Sequence, residues 1–128
     1  MKAKKLADVM KTKPAWSHDG ATFWQMEKFN GGQSWLGQFS GQSPWEMHPD
    51  ADELIYVLEG KVEMTILMGS KKTRSTVSKG SVFIVPKGKW HRQTAKGKGK
   101  VKEFGATSGR SKYSYADDPR KTTKGSHE

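Results

Sequence analysis

The chain has no cysteine. Disulfides, thiolate nucleophiles and thiolate metal centres are therefore excluded. No run approaches the ~20 apolar residues that a helical membrane span needs, so no membrane partner is expected. The basic N-terminus, MKAKKLADVMKTKPAW, lacks the apolar stretch of about 7–15 residues found in a secretory signal. The expected location is cytoplasmic. Apolar residues are also scarce, at 33 % of 128, which predicts one small domain with solvated ends. Nothing reads as a helix-turn-helix or a zinc finger, so nucleic acid is not an expected partner despite a net charge of +10. Helical periodicity is nearly absent. It is confined to Leu6, Val9 and Met10, and Pro14 ends it.

What the chain does have is alternation. Short β-prone runs at 21–27, 34–40, 53–59, 61–68, 81–86, 90–95 and 100–106 are separated by Gly, Ser, Pro or Lys clusters. Val62, Met64, Ile66 and Met68 share one parity, while Lys61, Glu63 and Thr65 share the other. That is the signature of a half-buried strand. Gly60 sits where the chain must reverse between two strands. The polar stretch MGSKKTRST at 68–76 reads as a hairpin loop. Many short strands with turns between them predict an all-β sandwich or barrel. Residues 1–14 read as an N-terminal arm with a short helix, 15–107 as the β domain, and 108–128 as a basic, flexible tail with Tyr113 and Tyr115 as its anchors. Charge is uneven. Residues 1–60 carry six basic against eight acidic side chains, and residues 61–128 carry seventeen against five. A solvated basic face explains the second half.

One acidic stretch, EMHPDADELIYVLEG at 46–60, stands out because five carboxylates surround a single histidine. Glu46 and His48 are two apart, so a strand places them on one face. Pro49 starts a turn, Asp50 and Asp52 have turn chemistry, and Glu53 opens the next strand. Glu46, His48 and Glu53 can therefore converge. A one-residue slip in register would turn Asp52 inward instead. Downstream, KGSVFIVPKGKWHRQ at 79–93 repeats the strand–turn–strand logic and supplies His91. Two imidazoles and two carboxylates suit a divalent transition metal such as Mn, Fe, Ni or Zn. Parity points Trp35, Phe39 and Gln93 toward the same cavity as pocket residues. Phe104 reads as core.

The two segments resemble the paired motifs of the cupin superfamily. Its first motif runs Gly-x5-His-x-His-x(3,4)-Glu-x6-Gly, and the chain has Glu46-x-His48-x4-Glu53-x6-Gly60. Its second runs Gly-x5-Pro with a histidine soon after, matched by Gly80-x5-Pro86 and His91. The resemblance implies a double-stranded β-helix, or jelly-roll barrel, with His48, Glu53 and His91 on metal-ligand positions. Glu46 stands where the family has a histidine, either as a fourth ligand or as a catalytic acid or base. The implied function is a metal-dependent reaction, of oxygenase, isomerase or lyase type, on a small polar or carboxylate-bearing molecule. The alternatives are a non-catalytic small-ligand sensor and a metal-free, epimerase-like pocket in which His48 or His91 acts as base. Pairing of such barrels and the surplus tryptophan predict a homodimer.

Overall fold

Period-two alternation is realised as twelve strands, with one short helix before them, in a computed structural model that describes residues 2–18, 20–97, 99–121 and 126–127. The elements run α1 (Leu6–Val9), β1 (Trp16–His18), β2 (Ala21–Phe29), β3 (Gly32–Phe39), β4 (Trp45–Met47), β5 (Glu53–Glu59), β6 (Lys61–Met68), β7 (Lys71–Ser78), β8 (Val82–Val85), β9 (His91–Lys96), β10 (Val101–Ser108), β11 (Lys112–Ser114) and β12 (Ser126–His127). They form two six-stranded sheets of order β1-β2-β3-β10-β5-β8 and β12-β11-β4-β9-β6-β7. Every pairing is antiparallel, as in a jelly roll. No helix among the described residues is long and apolar enough to cross a membrane.

The sheets face each other across an apolar interior. Phe39, Ile55, Val57, Val62, Met64, Ile66, Val77, Val85 and Val101 form that core. Each side chain so buried contributes roughly 1.5–3 kcal/mol. Gly60, at φ 80°, makes the sharp reversal from β5 to β6. Gly105 of β10 lies opposite Trp35 of β3, and a Cβ there would collide with the indole ring.

The first sheet is apolar on its outer face too. Trp24 and Leu36 are buried there, and Trp24 Nε1 donates to the Thr12 carbonyl at 2.9 Å, tying the N-terminal arm over the sheet. Phe104 lies on this outer side, half-buried, whereas its neighbour Glu103 is the fully buried residue of the pair. The expectation that Phe104 is core is therefore corrected.

Residues 68–76 are also not a loop. Most of them belong to β7, which pairs with β6 along its full length as the edge of its sheet. Only Val77 of β7 is buried, so the strand shows no alternation to read. In the expected tail, residues 112–114 form β11 beside β4, and Tyr115 is exposed. Residues 122–125 and 128 of that segment lie outside the described residues.

Candidate metal centre

Three strand ends build the site. Glu46 is the middle residue of β4, His48 follows the end of that strand, Glu53 opens β5 and His91 opens β9. Glu46 and His91 are direct cross-strand partners. The two turns are stitched together by backbone and side chain. Gly88 N donates to the His48 carbonyl at 2.8 Å, and Lys87 N donates to Asp52 Oδ1 at 2.8 Å. Asp52 is thus spent on the neighbouring turn and exposed, while Glu53 faces inward. The alternative ligand Asp52 is excluded, because the β5 register that pairs Glu53 with Val85 turns residue 52 outward.

One donor atom from each of Glu46, His48, Glu53 and His91 lies within 4.8 Å of the other three. His48 Nε2 is 3.3 Å from Glu46 Oε1 and 3.2 Å from Glu53 Oε1. His91 Nε2 is 3.4 Å and 3.1 Å from the same two oxygens. Each imidazole nitrogen therefore has a carboxylate oxygen on either side. Donors about 2.1 Å from a shared ion, and adjacent around it, would be spaced about 3.0–3.4 Å apart. The donor set fits a divalent metal in a second respect. His48 Nε2 is buried and makes no hydrogen bond of its own, a costly state for a polar atom without a further partner. His91 Nδ1–H donates to the Lys89 carbonyl at 3.3 Å, so Nε2 is the ring nitrogen turned to the site, where it hydrogen-bonds Glu53 Oε1 at 3.1 Å.

Burial is deep except on one side. His48, Glu53 and His91 are 3 %, 2 % and 1 % exposed, whereas the Glu46 side chain is 25 % exposed and marks the approach from solvent. In the metal-free protein, burial opposes charge on His48, yet the two carboxylates against it raise its pKa to about 10. The same balance raises His91 to about 9. Burial likewise opposes ionisation of Glu46, but its contacts with His48 and His91 hold it well below the usual carboxylate range.

Around the four lies a layer of which the sequence reading named only Gln93 for the pocket. Glu103 of β10 is 1 % exposed inside the barrel. Burial first, and then the charge of Glu53, push its carboxyl up to about 8. The side-chain amide of Gln93, an expected pocket residue, faces the Glu103 carboxyl across the barrel, 3.0 Å from Oε1. Ser111 Oγ lies 2.9 Å from His48 Nδ1. Tyr113, opposite Glu46 in the β4–β11 pair, hydrogen-bonds Glu46 and Ser111. Arg110 clamps Asp50 with Nε and Nη2, both at 3.0 Å, and anchors this segment. The other expected pocket residues, Trp35 and Phe39, pack in the apolar interior, with Trp35 edge-on to Phe23 at 5.8 Å. A signal for Glu103 was present: it shares parity with Val101 and Gly105, the inward residues of β10.

Comparison with known proteins follows the same outline. A family profile described as "Cupin domain" matches residues 38–104. Germin-like protein 1-1 of Oryza sativa subsp. japonica is 42 % identical over 60 residues, covering 46 % of this chain and 28 % of that protein. YdbB of Bacillus subtilis (strain 168) is 42 % identical over 57 residues, covering 44 % and 48 %. The matches thus span less than half of either relative's length. Among solved structures, Bacillus subtilis oxalate decarboxylase, in work on its Mn(II) centres, superposes with a TM-score of 0.67 at 18 % identity, over 80 % of this chain and 30 % of that one. Oxalate oxidase superposes at 0.64 and 23 % identity, over 81 % and 57 %. These two likenesses concern the fold.

Proposed function

The chain belongs to the cupin domain family, and from that premise we propose that it holds a divalent metal among Glu46, His48, Glu53 and His91 and acts on a small polar or carboxylate-bearing molecule. The observation that carries this reading is the convergence of four donor atoms within 4.8 Å, one of them the hydrogen-bond orphan His48 Nε2. Two carboxylates beside two imidazoles favour the harder ions, Mn(II) and Fe(II), over Zn(II) or Ni(II). A bound ion would act as a Lewis acid toward a carboxylate or carbonyl of the substrate.

The chain's own groups divide the remaining work. Glu53 and both imidazoles are shut from water and serve to hold. Glu46 faces the approach, and when it is not a ligand it is the group placed to take a proton as general base. Mn(II) in oxalate decarboxylase, and glycolate as substrate analogue in oxalate oxidase, make Mn(II), oxalate and glycolate the first probes.

The test is metal analysis of protein purified without added metal. A stoichiometric transition metal, lost in the His48→Ala/His91→Ala double variant, supports the reading. A folded protein that takes up no metal refutes it and favours a metal-free pocket, for which the close carboxylate–imidazole pairs would serve as acid and base. A substrate screen on the loaded protein then separates an enzyme from a binding module. The proposed homodimer would form on the outer face of the first sheet, where Leu54, Val82 and Ile84 are exposed on β5 and on the edge strand β8.

A further inference from the structure

His48 reaches Ser111, the residue just before β11, and Glu46 faces Tyr113 of β11 and hydrogen-bonds it. The direction of every hydrogen bond in this chain of groups follows from donor chemistry. Glu46 Oε1 lies 3.3 Å from His48 Nε2 and 3.4 Å from His91 Nε2, and a carboxylate can only accept. Tyr113 must therefore donate its hydroxyl proton to Glu46. The Tyr113 oxygen is then the acceptor for the Ser111 hydroxyl. With its own proton given to Tyr113, Ser111 Oγ is left to accept from His48, so His48 Nδ1 carries a proton. An imidazole that donates through Nδ1 presents an unprotonated Nε2 when neutral. That Nε2 is the buried orphan of the site.

We propose that Ser111 and Tyr113 form a one-way hydrogen-bond relay, His48 to Ser111 to Tyr113 to Glu46, that sets the imidazole tautomer and the carboxylate orientation needed to bind a divalent cation. The inference rests on the metal-binding reading above. Both are positioning residues, one on β11 and one just before it, beside β4 in the second sheet. The Asp50–Arg110 clamp, with Arg110 N also donating to Asp50 Oδ2 at 2.8 Å, holds that strand in register.

The test measures Mn(II) dissociation constants by titration calorimetry for wild type, Ser111→Ala, Ser111→Thr, Tyr113→Phe and the Ser111→Ala/Tyr113→Phe double variant. Loss of an outer partner of a metal-bound histidine weakens affinity about 10–100-fold, and that is expected for each single deletion. Because both groups act in one chain, the double variant should fall well short of the product of the two losses. The threonine variant keeps the hydroxyl and should recover most of the affinity. Nitrogen-15 NMR of the Zn(II)-loaded wild type, which needs no variant to fold, should show a slowly exchanging His48 Nδ1 proton. Unchanged affinity in both single variants, losses that multiply independently, or a fast-exchanging His48 Nδ1 proton overturns the relay while leaving metal binding intact. A wild type that binds no divalent ion overturns both.

Discussion

Replacing Glu103 by glutamine should stabilise the metal-free protein by an amount that depends on pH. In the folded chain this carboxyl is sealed inside the barrel near Glu53 and keeps its proton up to about pH 8, against an ordinary value of 4.5. The unfolded chain releases that proton near 4.5. Between the two values the folded state binds more protons, so stability falls as pH rises. At pH 7 the gap from 4.5 is about 2.5 pH units, which at 1.36 kcal/mol per unit costs about 3 kcal/mol. A typical domain has only about 5–15 kcal/mol in total. Glutamine removes the titration and still offers a carbonyl to the Gln93 amide. Urea unfolding, followed by tryptophan fluorescence in the presence of a chelator, should show the variant within about 1 kcal/mol of wild type at pH 5 and about 3 kcal/mol more stable at pH 7. The gap should stop growing above pH 8. A stability difference that stays constant from pH 5 to pH 8 would refute the reasoning.

The histidines titrate in the opposite sense from ordinary buried imidazoles. Raised to about 10 and 9, His48 and His91 stabilise the metal-free fold fully below the ordinary imidazole value of 6.5, and that contribution is lost as pH climbs through 9 and 10. Melting temperatures in chelator should therefore drop across that window, and a flat profile would contradict the pairing. Since both rings hold protons near neutrality, divalent metal must displace nearly two of them at pH 7; calorimetry in buffers of different ionisation enthalpy reads that number, and zero release would be the adverse result. Glu46→His should tighten Zn(II) at least about tenfold by adding an imidazole to the set; unchanged affinity would mean that residue 46 does not reach the ion. Sedimentation should show a dimer that Val82→Asp/Ile84→Asp converts to monomer, and a monomeric wild type would dispose of the proposed interface.

Much of the site is legible in the sequence because it is local. His48, Glu53 and Gly60 lie within one strand–turn–strand unit, and Gly80, Pro86 and His91 within another. Turn chemistry brings these residues to strand ends, and the resemblance to the paired cupin motifs assigns their roles. What is not legible is whatever depends on a distant strand. β7 escapes because an edge strand with solvent on its outer face and a single buried residue carries no period. Glu103 loses to Phe104 on hydrophobicity, since the first sheet buries apolar residues on both faces and the simple rule of one wet side fails. Tyr113 sits on a three-residue strand, with Ser111 just before it, whose existence depends on pairing with β4, sixty-odd positions earlier.

That last strand has a consequence for how such chains diverge. The family-profile match ends at residue 104, before Arg110, Ser111 and Tyr113. If the relay acts as proposed, two barrels with identical inner motifs would hold an ion with different strength through a handful of substitutions in this short segment. Affinity for a metal would then be adjustable without touching a single ligand.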